Sequence, residues 1–266
     1  MKVSTLLLSG RNALVTGGSK GVGFGIATAY AQAGANVVLV ARDAKAVESA
    51  AKRLRDDGYH AIGIAADVTN AEDFRKALYK GANQLGIIDI LCNNAGITKV
   101  EDFFDIKEET WDSLFAVNAK AILFCSKIFA EYLKEKRQGG NIVIVSSNAE
   151  KLTFNGEISY CASKAAAANL AQSLAKELYP LGINVNAVCP GSTQSDMLNY
   201  CMECEMQRDE TSEKTMEEIR GEWGNSYIGR IAEPIEVGKI VAFLSSEAAT
   251  LIRGQAITID AGITPY

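Results

Sequence analysis

Short runs rich in Val, Ile and Leu alternate with longer helical patterns along the whole chain, and this rhythm limits its possible folds more than any other feature. Residues 12–16, 36–41, 60–65, 88–92, 141–146, 183–188 and 255–259 read as strands, each too short for a helix. Between them, residues 22–33, 44–57, 71–85, 108–136, 159–181 and 235–245 carry helical spacing and Ala-rich faces. The strands are apolar almost throughout rather than alternating, so the sheet must be covered on both faces. The expected architecture is α/β: a single Rossmann-type domain with a doubly wound, seven-stranded parallel sheet and helices on both sides.

No linker, repeat or low-complexity tract divides the 266 residues, so one domain is expected over 1–266, with residues 1–10 as a short N-terminal tail. Residues 195–227 break the rhythm: they are strandless and acidic, carrying Glu203, Glu205, Asp209, Glu210, Glu213, Glu217, Glu218 and Glu222. A charge run is usually a solvated helix pair. The position after the sixth strand, where open α/β sheets bind ligands, instead suggests a substrate-binding lid.

A formal charge of −5 supplies no basic stripe for nucleic acid. The apolar runs, of which 121–130 is interrupted by Lys127, are too short for a membrane span, and residues 6–8 are too short for a signal-peptide core. A cytoplasmic protein with a small-molecule partner is expected. The six cysteines fit no disulfide framework, and Cys92, Cys125, Cys161 and Cys189 sit in apolar runs that suit buried thiols. Cys201 and Cys204 have CxxC spacing, but His60 is the only histidine and lies far away, so no metal site is expected. A thiol switch on the lid remains open.

Directly after the first strand comes Thr16-Gly17-Gly18-Ser19-Lys20-Gly21-Val22-Gly23, and a helical pattern follows at once. Glycines there let the backbone turn tightly and approach a pyrophosphate whose charge the helix N-terminus attracts. The spacing is TGxxxGxG rather than GxGxxG. Asn93-Asn94-Ala95-Gly96 follows the fourth strand, Tyr160-Cys161-Ala162-Ser163-Lys164 forms a YxxxK, Ser147 stands thirteen positions before Tyr160, and Pro190-Gly191 follows the sixth strand. In this form and order the motifs resemble those of the short-chain dehydrogenase/reductase family, from Gly10 to Gly262.

The resemblance implies a nicotinamide dinucleotide held by Gly17, Ser19, Lys20, Gly21, Val22 and Gly23, by Asp67 and Val68 near the adenine, and by Asn94, Ala95 and Gly96. It also implies contacts from Tyr160 and Lys164, and from Pro190, Gly191, Thr193 and Ser195 around the nicotinamide. It places Asn118 as a fourth catalytic residue holding a water beside Lys164; a polar helix kink is the competing reading. Homo-oligomers, dimers or tetramers, are expected from the same resemblance, through the helices bearing Asn118 and Tyr160.

Which dinucleotide binds depends on the residues after the second strand. Arg42 offers a donor fork suited to the 2′-phosphate of NADP(H), with Lys20 as a second positive charge. Asp43 would instead favour the ribose of NAD(H), but its position suits the N-cap of the next helix. NADP(H) is the expectation, with NAD(H) possible.

Reducing a ketone needs a proton donor at its oxygen and a second donor to polarise it. Tyr160 and Lys164, four apart on a helix, share a face, and an ammonium there would lower the phenol's pKa. Ser147 ends the fifth strand at the ligand edge; Ser146 is its rival, pointing the other way by strand alternation. The expected function is hydride transfer between NADP(H) and a ketone or secondary alcohol through Ser147, Tyr160, Lys164 and Asn118. A non-catalytic NADP(H) sensor of the same fold is the alternative, though it would usually lack one of these residues. Asn148, Glu150, Lys151, Phe154 and Glu157 lie between Ser147 and Tyr160, so some should line the pocket. With the acidic lid they suit a hydroxylated substrate, whereas Met197, Leu198, Tyr200 and Met202 would suit an apolar ring.

Overall fold

The computed structural model describes residues 8–208 and 214–264. Residues 1–7, with most of the expected tail and of the 6–8 run, and Asp209, Glu210 and Glu213 of the acidic segment lie outside the described residues. In chain order the elements are β1 Asn12–Thr16, α1 Gly21–Gln32, β2 Asn36–Ala41, α2 Ala44–Asp56, β3 Ala61–Ala65, α3 Ala71–Leu85 and β4 Ile90–Asn93. There follow α4 Glu108–Phe115, α5 Ala121–Lys136, β5 Gly140–Val145, α6 Ile158–Leu178, β6 Ile183–Pro190, α7 Asp196–Arg208, α8 Met216–Trp223, α9 Pro234–Leu244 and β7 Ala256–Ile259.

The seven strands form one parallel sheet in the order β3-β2-β1-β4-β5-β6-β7. Chain direction across the sheet reverses between β1 and β4, and the cleft beyond their carboxyl ends is where such a sheet takes a ligand. Two apolar layers cover it. One packs α1, α2 and α9 on Val15, Leu39 and Val188; the other packs α3, α5 and α6 on Leu14, Leu91 and Ile144. Strands buried on both faces explain the unbroken apolar runs.

Glycines fix the seating of α1. A Cβ on Gly25 would lie 2.4 Å from the Pro234 carbonyl carbon, and one on Gly238 would lie 2.5 Å from the Gly25 carbonyl oxygen. Here α1 and α9 touch backbone to backbone, which holds the loop before α1 over the sheet edge. Asp43 Oδ1 accepts from the amides of Lys45 and Ala46, so it is the N-cap of α2.

Three expectations are corrected. The helix expected over 108–136 is divided by a π turn at Ala116–Lys120, which separates α4 from α5. That continuous helical stretch, Glu108–Lys136, also matches a membrane span by length and composition, although its separate apolar runs are short; half of its most apolar window is buried against the sheet, as in a core helix. Finally, Leu8 is not part of a free tail: it is 1% exposed and packs into the first core layer. The acidic segment forms the helix pair α7 and α8, joined through Leu198, Met202 and Ile219.

Candidate active site

The glycine loop between β1 and α1 is shaped so that side chains would obstruct it. Gly17 and Gly21 have φ of +66° and +53°, the left-handed region that glycine enters freely. A Cβ on Gly23 would lie 2.1 Å from the Gly17 carbonyl oxygen. The loop is stitched to the end of β4 from both sides. The Asn94 side-chain amide donates to the Thr16 carbonyl at 2.9 Å and the Gly17 carbonyl at 3.3 Å, while the amides of Asn94 and Ala95 donate to Thr16 Oγ1 at 2.9 and 3.0 Å. The cradle therefore fits a pyrophosphate approaching the backbone at a helix N-terminus. Ser19 and Val22 lie on it, both partly exposed.

Beside the cradle, Arg42 is exposed and makes no hydrogen bond or ion pair among the described residues. Its charge reaches Asp67, whose carboxyl is held below its usual range mainly by a hydrogen bond from the Thr69 amide. Val68, partly buried, accepts through its carbonyl from the Cys125 thiol. Lys20 is placed differently from the expectation: its ammonium is 2.7 Å from Asp196 at the start of α7, an exposed pair that joins the loop to the acidic segment. Ser195 comes with it, its Cβ 3.4 Å from where a Cβ on Gly21 would stand. Pro190 ends β6, Gly191 packs on Asp260, and the hydroxyls of Thr193 and Ser195 donate to the carbonyls of Gly191 and Thr193.

On the floor of the cleft the two serines separate as strand alternation requires. Ser146 is buried and donates to the Lys164 carbonyl at 2.7 Å, a structural bond. Ser147 is partly exposed and its hydroxyl faces the Tyr160 phenol. Lys164, 5% exposed, donates to the Val145 carbonyl at 3.0 Å, and its ammonium lies 5.7 Å from the Tyr160 ring centre. Asn118 sits in the π turn, fully buried. It accepts from the Ile97 amide at 2.9 Å and donates to the Ile97 carbonyl and Ser163 Oγ at 2.9 and 3.0 Å. A Cβ on Gly96 would lie 3.4 Å from both Asn118 Oδ1 and Lys164 Nζ, so the backbone there runs close beside the two groups. Asn118 thus lies in a helix distortion, as the kink reading expects, and close to Lys164.

The electrostatics correct one expectation. Burial pushes the Tyr160 phenol well above its ordinary value; the Ser147 hydroxyl opposes this and the Glu157 charge adds to it. Lys164, whose ammonium donates to the Val145 carbonyl, is not among the groups that shift the phenol, and burial lowers its own pKa to about 8.

Not all expected wall residues reach the cleft. Leu198 and Met202 are buried in the joint between α7 and α8, and Asn148 donates to Asp260. Phe154 stacks on Trp223 of α8, ring centres 6.4 Å apart, joining the wall to the helix pair. Sequence reasoning missed Thr98, whose hydroxyl donates to Glu157 at 3.4 Å. Two residues past the Asn-Asn-Ala-Gly run, it carries no signal of its own; tertiary packing brings it in. Among the described residues no group of acidic, His and Cys side chains is arranged for a metal, and all six cysteines are free thiols.

A glycine cradle at the point where the sheet order reverses, facing a Ser, Tyr and Lys cluster, defines a nucleotide-dependent oxidoreductase of the Rossmann type. The family described as short chain dehydrogenase matches residues 11–224. Oxidoreductase UcpA of Salmonella typhimurium is 34% identical over 260 residues, 97% of this chain and 95% of that protein. The 3-oxoacyl-[acyl-carrier-protein] reductase FabG of Vibrio cholerae is 33% identical over 256 residues, 96% and 98% of the two chains. The crystal structure of a short-chain type dehydrogenase/reductase from Mycobacterium marinum superposes with a TM-score of 0.87 at 30% identity, covering 97% of each chain. The chain belongs to the short-chain dehydrogenase/reductase family, whose members use NAD(H) or NADP(H) on small molecules and are commonly oligomeric.

Proposed function

We propose that the protein is an NADP(H)-dependent ketoreductase, and that the observation carrying this reading is the pairing of the Ser147 and Tyr160 hydroxyls above buried Lys164. When a dinucleotide is bound with its pyrophosphate on the glycine cradle, its nicotinamide would supply or accept the hydride. Tyr160 donates the proton to the substrate oxygen; a phenol kept protonated by burial is suited to that direction. Ser147 donates to the same oxygen and orients it. Lys164, whose pKa burial lowers to about 8, returns the proton to Tyr160, and Asn118, in the π turn beside the ammonium, would hold a water that passes protons to Lys164. Reduction is therefore favoured near neutral pH, and alcohol oxidation, which needs the phenolate, at alkaline pH.

NADP(H) is supported by two local facts: Arg42 after β2 is exposed and has no hydrogen bond or ion pair among the described residues, and the Asp43 carboxylate that would read an NAD ribose is occupied in capping α2. Carbonyl reduction is also what the name of the Vibrio relative describes. The test is a panel of ketones followed by nicotinamide absorbance with NADPH and NADH in parallel. The expected result is turnover with a preference for NADPH, and loss of about 10²–10⁴-fold in kcat for Tyr160→Phe with NADPH binding retained. Preference for NADH would overturn the reading of Arg42, and undiminished reduction by Tyr160→Phe would overturn the mechanism.

A further inference from the structure

Glu157 is the position before α6, yet its carboxylate makes no cap hydrogen bond to that helix. It lies one helical turn before Tyr160, is 6% exposed, and its charge acts on the Tyr160 phenol. Its partners are neutral donors from two other elements, the Thr98 hydroxyl after β4 and the Cys201 thiol of α7. No basic side chain pairs with it among the described residues. Nearby Arg208 is engaged by Asp102, and the charge of Lys99 bears on Tyr200. A carboxylate withdrawn from water without a cation is costly unless something charged comes to it.

We propose that Glu157 reads the substrate, and that the substrate class is a ketone or secondary alcohol carrying a cationic amine a few bonds from the reacting carbon. This rests on the reductase reading of Tyr160. Burial raises the Glu157 pKa even though two neutral donors already face the carboxyl, so a further hydroxyl adds little, whereas an ammonium restores the ionised form. The approach is electrostatically favourable: Glu203 and Glu205 follow Cys201 on α7, and the chain as a whole carries −5. Cys201, its thiol pushed up to about 12 by burial, stays protonated as a donor at the back of the carboxylate. The CxxC motif thus contributes one side chain to the pocket.

The test compares two isosteric ketones, 4-(dimethylamino)cyclohexanone and 4-isopropylcyclohexanone, at pH 7 with NADPH. Wild-type protein is expected to favour the amine in kcat/KM, chiefly through KM, and Glu157→Gln to reduce that preference by about 30-fold or more. A ratio of two substrates on one protein does not depend on the fraction folded. Affinities of both ketones for the Tyr160→Phe protein with NADPH read binding without turnover. Equal kcat/KM and equal affinity, or a preference that survives Glu157→Gln, overturns the role of Glu157 and leaves the reductase reading standing. If neither ketone is reduced, the affinities alone decide for or against Glu157, and the reductase reading fails separately. Tighter handling of 4-hydroxycyclohexanone than of the amine overturns the proposal in favour of a hydroxyl ligand.

Discussion

The floor of the cleft and the helix pair above it are held in opposite ways. On the floor, polar side chains bond to backbone: Asn94 to Thr16 and Gly17, Asn118 to Ile97, Ser146 and Lys164 to the carbonyls of Lys164 and Val145. Over α7 and α8 the bonds run between exposed side chains: Lys20 to Asp196, Arg220 to Gln194 and Asn199, Trp223 to Glu205, Lys214 to Glu222. Buried bonds to backbone cost a full desolvation penalty when one partner is lost, whereas exposed pairs contribute little. The polar bonds of the floor are therefore costly to break, while those over the helix pair, which is held together by its apolar joint, contribute little. Under the proposed function the first region carries the reaction, and the second borders Glu157 through Cys201 of α7.

The sharpest way to break this contrast is at the loop. In Gly23→Ala the added carbon meets the Gly17 carbonyl oxygen at 2.1 Å, far inside any tolerable contact. The gain of about 1 kcal/mol in helix propensity is outweighed by displacement of the loop. Thermal unfolding should show a loss of about 1–3 kcal/mol, and fluorescence titration should show NADPH affinity falling with it. Unchanged values for both would mean that the loop yields as easily as the helix pair.

Lys164→Met probes the floor electrostatically. The folded pKa of about 8 is below the ordinary 10.5, so between these values the unfolded chain binds more protons than the folded one. This lysine therefore makes stability rise with pH across that window and fall as pH drops through about 8. The difference in unfolding free energy between wild type and variant should climb by up to about 3 kcal/mol from pH 8 to 10.5, measured by denaturant titration. A flat difference would show that the ammonium is solvated. Smallest of all, Lys20→Ala should change stability by less than about 1 kcal/mol at any salt concentration, because the pair with Asp196 is exposed. A larger loss would show that the junction of loop and α7 is as fixed as the floor.

Much was legible in the sequence because it rests on local rules. Apolar runs of strand length separated by helical patterns specify a parallel sheet covered on both faces, and all seven strands lie where those runs predict. The TGxxxGxG loop, the N-cap of Asp43 and the division of labour between Ser146 and Ser147 follow from φ preference, capping and strand alternation, which act over a few residues. Other features depend on packing between distant segments. The π turn at Asn118 is set by Ile97 and Ser163, 21 and 45 residues away, and Lys20 meets an aspartate 176 residues on. The Tyr160 pKa is governed by burial rather than by the ammonium four residues along the helix. Glu157 is acidic in the sequence and nothing more. Its withdrawal from water, with Thr98 and Cys201 as the carboxyl's partners among the described residues, exists once three elements close around it, because desolvation depends on the whole surrounding volume and not on spacing along the chain.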